Sequence, residues 1–255
     1  MSFKRVSIIS AFFIFILYAG LILSLLYFYR TEHFMSALLS ERTLFSVRLS
    51  IVAATAATLL SLIIAIPSAY ALSRFEFKGK DIIDAILELP MIVSPAALGA
   101  MILIFFNNPL GIWIQENIAE FVFTVLGIIL AQFVTIVGIA TRLIKSVVDE
   151  IPRRYEDVAR SLGATAEKSF FTVTLPLAKK GIIASVILTW AKAIGEFGAT
   201  ITVAGSMAMK TETIPVAIFM RLSSADIEGS VVLILILITI GLGVLYGVRY
   251  MTLRD

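Results

Sequence analysis

Two opposite charges sit four residues apart inside an otherwise apolar run, and they are the strongest chemical signal in this chain. Lys192 and Glu196 lie within Trp190-Ala-Lys-Ala-Ile-Gly-Glu-Phe-Gly-Ala-Thr200. On a helix that spacing puts both side chains on one face, within reach of an ion pair. A charge left unpaired in a bilayer costs about 3 kcal/mol or more. Such a pair is therefore a candidate counter-ion for a charged substrate, a proton or ion relay, or a self-neutralising pair that fixes packing. A bare Glu196 would repel any passing anion, so pairing is required if anions are what pass. Thr200, Thr202 and Ser206 follow, with hydroxyls able to donate to an anion or to bond their own helix backbone.

Other chemistries are excluded by residue type. With no cysteine and a single histidine, the chain has no disulfide scaffold, thiol nucleophile, cysteine zinc site or paired-histidine metal centre. It contains no His-Glu-x-x-His, Gly-x-Ser-Gly or paired-aspartate arrangement of an intramembrane enzyme. A phosphate loop needs G-x-x-x-x-G-K-[ST]. The Gly79-Lys80 pair is followed by Asp81 and has Arg74 where the first glycine belongs.

The elements that must position these residues are membrane helices. Of 255 residues, 59% are hydrophobic and 15% charged, a composition that rules out an ordinary soluble domain. Apolar runs predict six spans: Val6 to Tyr29, Phe45 to Leu72, Ala85 to Phe106, Phe121 to Thr141, Gly181 to Ala204 and Gly229 to Tyr250. The first is too long for a signal-peptide core and ends in Tyr27, Phe28 and Tyr29 rather than at a small-residue cleavage site. Lys192, about 16 Å from Gly181 at 1.5 Å per residue, falls near mid-span. Pro67, Pro90, Pro95, Gly195 and Gly198 punctuate the spans, as kinks, close packing contacts or breaks beside a pathway.

Charge placement orients the spans. Lys4, Arg5, Arg74, Lys78, Lys80, eight cations from Arg142 to Lys180, Arg249 and Arg254 share one side; Arg30, Arg42, Arg48, Lys210 and Arg221 take the other. The positive-inside rule puts both termini in the cytoplasm and segments 107–120 and 205–228 outside. The net charge of +3 is thus an orientation signal rather than a nucleic-acid footprint.

Residues 142–180 form the one substantial polar stretch. Pro152 suits a first helical turn, Glu156 and Asp157 favour its positive end, and Gly163 suits a left-handed stop after Leu162. A second short helix is expected to run to about Thr174 and end at Pro176. Tyr155, Val158, Ala159 and Leu162 share an apolar face expected to pack on the membrane domain. A DNA-reading helix-turn-helix is disfavoured by tethering between two spans; a merely solvated loop is the plainer alternative.

Glu156, Ala159 and Gly163, then nine residues, then Val173, Leu175 and Pro176, resemble the EAA loop of permease subunits of ATP-binding-cassette importers. Asp157 and Val158 depart from the alanines of the strict pattern, and Val173 replaces isoleucine. In that family the loop is a coupling helix docking on a separate ATPase, so the resemblance assigns coupling to Glu156, Ala159, Arg160, Gly163, Val173, Leu175 and Pro176. The second region, Lys192 to Thr200 with Ala204-Gly205 and Thr211-Glu212-Thr213-Ile214-Pro215, resembles the molybdate and tungstate permeases, with Lys192 for their usual arginine. Sulfate and thiosulfate permeases share the Glu-Phe-Gly core. The resemblance implies an all-α fold of type I importer class, with an N-terminal helix and external loop over 1–42 and the permease domain over 43–250. It implies a homodimer in the cell membrane, two cytoplasmic ATPase subunits that bind the ATP and Mg, and an external oxyanion-binding protein. It implies no cofactor, metal or nucleic acid for this chain. Lys192, Glu196, Phe197, Gly198, Thr200, Thr202 and Ser206 become the candidate path or gate. An ion-coupled secondary transporter, with Lys192 and Glu196 as relay, is the alternative class.

Overall fold

The computed structural model describes residues 3–28 and 31–253. Tyr29, Arg30 and Arg254 lie outside the described residues. Among the described residues the regular structure is helical, without strands: α1 Phe3–Leu25, α2 Thr31–Leu38, α3 Glu41–Arg74, α4 Lys80–Ile86, α5 Leu89–Ile92, α6 Pro95–Phe106, α7 Pro109–Asn117, α8 Val125–Asp149, α9 Arg154–Ser161, α10 Ala166–Ser169, α11 Leu175–Ile194, α12 Gly198–Ala204, α13 Ile214–Ser223 and α14 Ile227–Leu253. Five helical stretches are long and apolar enough to cross a membrane, and a bent pair taken as one span makes six.

The longest helix, α3, forms where the sequence placed its second span. Ser40 caps it by accepting from the Thr43 N–H, and Glu41 and Arg74 complement the helix dipole at the two ends. Ala53, Ala54, Ala57, Ala65 and Ala69 are fully buried. Their small side chains let α3 approach α8, whose Ile128, Ile136, Ala140 and Ile144 meet them in successive layers. Helix α8 is the central post, packed by α3, α6, α11 and α12.

Several boundaries differ from the sequence expectation. Pro67 does not interrupt α3, which runs unbroken past it. The third span is bent by 114° between Lys80–Ile92 and Pro95–Phe106. Ser94 starts α6 by accepting from the Ala97 N–H, with Pro95 in the first turn, where its missing N–H costs nothing. The fourth span begins at Val125, because Thr124 caps Gly127 and Phe123 takes a positive φ of 59°. It continues to Asp149, so Arg142 and Lys145 belong to the helix rather than to the loop.

The fifth span departs furthest. Pro176 does not end the short helix: a π-helical segment, Phe170–Thr174, carries the chain from α10 into α11 as one continuous rod. The wider turn leaves room for the proline ring, which would clash in regular α geometry. At the other end the rod stops at Ile194, and Gly195 to Phe197 break it before α12. Segment 205–228 is not a simple solvated loop either, since Thr211 to Ala217 are buried and α13 packs on α14.

Candidate functional site

The short helix α9 is anchored by a carboxylate. Glu156 is buried, and its Oε1 accepts from Arg74 Nε at 2.7 Å and from Thr174 Oγ1 at 2.8 Å, while its Oε2 accepts from Tyr70 Oη at 2.8 Å. The Arg74 guanidinium also donates to the Val148 and Ile151 carbonyls at 3.0 and 2.8 Å, satisfying the end of α8. One ion pair thus joins α3, α8, α9 and the π-helical segment. Burial pushes the Glu156 carboxyl up, but hydrogen bonds from Arg74, Thr174 and Tyr70 together outweigh it and hold the group below its ordinary value. Alongside, Ser73 bonds Asp149, and Arg153 donates to the Ser73 carbonyl at 2.6 Å.

With Glu156 turned inward, the apolar face of α9 turns outward, opposite to the expectation that it packs on the membrane domain. Tyr155, Val158 and Leu162 are 44%, 58% and 83% exposed. Glu156 is the buried residue of α9, and its three polar partners hold the helix by directed, charge-assisted hydrogen bonds that Val158 could not make. Ala159 is half-buried and Arg160 exposed. Gly163 turns the chain at φ +90°, with nothing near a would-be Cβ, so backbone conformation alone requires glycine there. Val173 and Leu175 are half-buried on the rod, and Pro176 is exposed.

The second constellation lies at the break after α11. Lys192 Nζ donates to Glu196 Oε2 at 3.2 Å, and Glu196 Oε1 accepts from the Ala199 N–H at 3.1 Å, so the carboxylate caps the start of α12. The Glu196 side chain is 1% exposed and that of Lys192 45%. Gly198 lets α12 press on α6, where a Cβ would come 2.9 Å from the Ala96 nitrogen. Phe197 packs on Phe219, with ring centroids 5.1 Å apart. Thr202 donates to its own Gly198 carbonyl at 2.7 Å. The buried Thr200 hydroxyl has no hydrogen-bond partner among the described residues. The structure therefore joins Lys192 and Glu196 at the break, while Gly198 faces α6, Thr202 is used by its own helix and half-buried Ser206 lies beyond the end of α12.

Three partners of Glu156 escape a reading of the sequence. Arg74 is legible there only as an orienting cation; its place four residues after Tyr70, at a helix end, is the signal that pairs it with an inward acid. The Arg42–Glu212 pair is equally hidden. Arg42 holds the fully buried Glu212 through two bonds of 2.7 and 2.6 Å, tying α3 to the turn before α13.

A bundle of membrane helices, carrying a rigidly anchored short helix at one end and a broken helix with a buried ion pair between its halves, defines a transport protein's membrane-spanning subunit. Residues 57–252 match the family described as binding-protein-dependent transport system inner membrane component, and the chain belongs to this family. It is the multi-span permease component of an ABC importer of the inner membrane. A probable molybdenum ABC transporter permease protein of Haloferax volcanii is 38% identical over 76% of this chain and 70% of its own length. The molybdenum transport system permease protein ModB of Haemophilus influenzae is 33% identical over 72% and 81%. The sulfate transport system permease protein CysT of Escherichia coli is 31% identical over 80% and 77%. In fold the chain is similar to a bacterial ABC transporter that imports alginate, with TM-score 0.76 and 18% identity over 98% of this chain and 96% of that one. It also resembles the inward-facing MetNI methionine transporter, with TM-score 0.67 and 15% identity over 85% and 99%.

Proposed function

We propose that this permease passes a tetrahedral oxyanion, molybdate or tungstate, across the cell membrane. It works as a homodimer with two ATPase subunits on the Glu156 face, in the cytoplasm with both termini, and an oxyanion-binding protein on the Arg42 face. ATP and Mg are bound by the ATPase subunits. The observation that carries the reading is the half-exposed Lys192, which the structure places in the last turn of the apolar α11, beside the break, rather than at mid-helix. An ammonium facing lipid is costly, so this face of α11 borders water or a partner rather than acyl chains. Two molybdenum permeases among the relatives favour the molybdate class, and the sulfate permease similarity favours sulfate as second reading.

For coupling, the outward Tyr155, Val158 and Leu162 flanking Arg160 give α9 a docking edge, and the Glu156 anchor carries any push on that edge into α3 and α8. Ala159, Gly163, Val173, Leu175 and Pro176 shape the turn and the rod behind it. Glu196, Phe197, Gly198, Thr200, Thr202 and Ser206 border the route with Lys192. High affinity belongs to the binding protein, because a path that gripped the ion would not release it.

The test is uptake of labelled tungstate by vesicles reconstituted with the permease, ATPase and binding protein. Molybdate and tungstate are expected to compete above sulfate, and uptake to need internal ATP. Sulfate competing best would move the substrate to the second reading, and uptake without the ATPase would establish ion-coupled transport instead.

A further inference from the structure

Lys192 has more donors than its protein partner uses. An ammonium carries three N–H groups, and among the described residues its hydrogen bonding goes to Glu196 alone. The stem is half-exposed and continues a stripe of exposed Lys180, Ala184 and Leu188, each four residues from the next, along one face of α11. Glu196, by contrast, is fully enclosed, and its other oxygen is committed to the Ala199 amide. The two charges therefore differ in what they can meet: the carboxylate is a fixed structural group, and the ammonium alone reaches the open side.

We propose that Lys192 is a direct ligand for the translocated ion, holding a tetrahedral dianion through its uncommitted N–H groups while Glu196 keeps the third. Glu196 is then the restraint that orients the ammonium across the break and lowers its net attraction, so that the ion is held briefly and let go. In a symmetric pair of protomers two such ammonium groups match the two charges of the ion. This assignment rests on the oxyanion reading above and goes beyond it by naming the contacting atom.

The native chain has no cysteine, so a single one reports without background. In the permease–ATPase complex reconstituted with its binding protein, Lys192→Cys is expected to lose tungstate uptake by about tenfold or more, the worth of a charge-assisted hydrogen bond. Labelling the assembled variant with aminoethyl methanethiosulfonate puts back an ammonium and is expected to restore uptake. The sulfonatoethyl reagent, of similar size and opposite charge, is expected not to. The thiol of the Lys192→Cys variant should react faster than that of Ile14→Cys in the middle of α1. Lys192→Arg should transport.

Equal uptake after either reagent, or full transport by Lys192→Gln, would overturn the assignment. If the unaltered complex imports no oxyanion, the substrate reading fails instead, and the two failures are thereby distinguished.

Discussion

A single carboxylate decides which way the short helix faces. Glu156 is enclosed with Arg74, Tyr70 and Thr174, and removing one member of a buried ion pair strands the other at a cost of about 3–5 kcal/mol. Arg74→Met is therefore expected to lower the unfolding temperature in detergent more than an exposed change such as Arg160→Met, and to uncouple ATP hydrolysis from uptake. A double cycle with Glu156→Gln should return a coupling energy of about 0.5–3 kcal/mol; strict additivity would mean the pair is not energetically one. Linkage gives the pH dependence. The Glu156 carboxyl is depressed in the folded state, so its contribution is complete above the ordinary glutamate value and is lost as pH falls below that value through the folded one. Acid titration of the purified protein should thus loosen α9, read by exposure of its loop to protease, and Glu156→Gln should abolish that step. At the second site, reversing Lys192 and Glu196 together should recover part of the stability lost by either reversal alone, because their contact is mutual at 3.2 Å. A double reversal as poor as the sum of the singles would deny the pair.

At the scale of elements, a turn and a break set how the rods are joined. Gly163 holds φ +90° in open space, so the penalty for a side chain is conformational only. Gly163→Val, with a β-branched side chain in that region, is expected to cost about 1–2 kcal/mol and to uncouple transport, whereas Gly163→Asn should keep most of both. Full transport by the valine variant would remove the coupling role of the turn. Gly198 is limited instead by space, its Cβ direction blocked by the Ala96 backbone. Gly198→Ala should push α12 from α6 and destabilise by about 1–3 kcal/mol, measured by thermal unfolding in detergent. The π-helical segment before Pro176 makes α10 and α11 one rod, so displacement of α9 reaches the broken helix at Ile194 without an intervening hinge.

Across the whole molecule the buried clusters draw on α3, α6, α8 and α11 to α14, and none includes a residue of α1. Helix α1 buries no side chain in the protomer, and Phe12, Phe15 and Ile16 lie exposed along it. A chain beginning at residue 31, which removes α1 but keeps α2 and its packing on α14, is expected to keep the helical content of the rest and its unfolding temperature within a few degrees. Loss of the fold in that truncation would show that α1 supports it. Arg42 and Glu212, at the other end of α3 from Arg74 and Glu156, tie α3 to the turn before α13, so these two ion pairs fasten α3 at both ends.

The residues that announce themselves in the sequence do so through local signals. Six apolar runs, a lysine and a glutamate four apart within one of them, and a glycine followed after nine residues by Val-Thr-Leu-Pro are patterns of spacing; the runs determined the membrane class, and the other two marked the segments for which the permease resemblance implies coupling and a path. Hydropathy reports how apolar a run is but not whether its backbone stays straight, so the bend before Pro95, the break at Gly195 and the continuation through Pro176 had to come from packing. The amphipathic pattern of α9 likewise named two faces without saying which is buried. That was decided by Arg74, distant in the chain, whose charge and hydrogen bond give Glu156 a partner and so offset the desolvation of a buried acid. Periodicity is read within an element, and only the tertiary arrangement tells which element stands opposite.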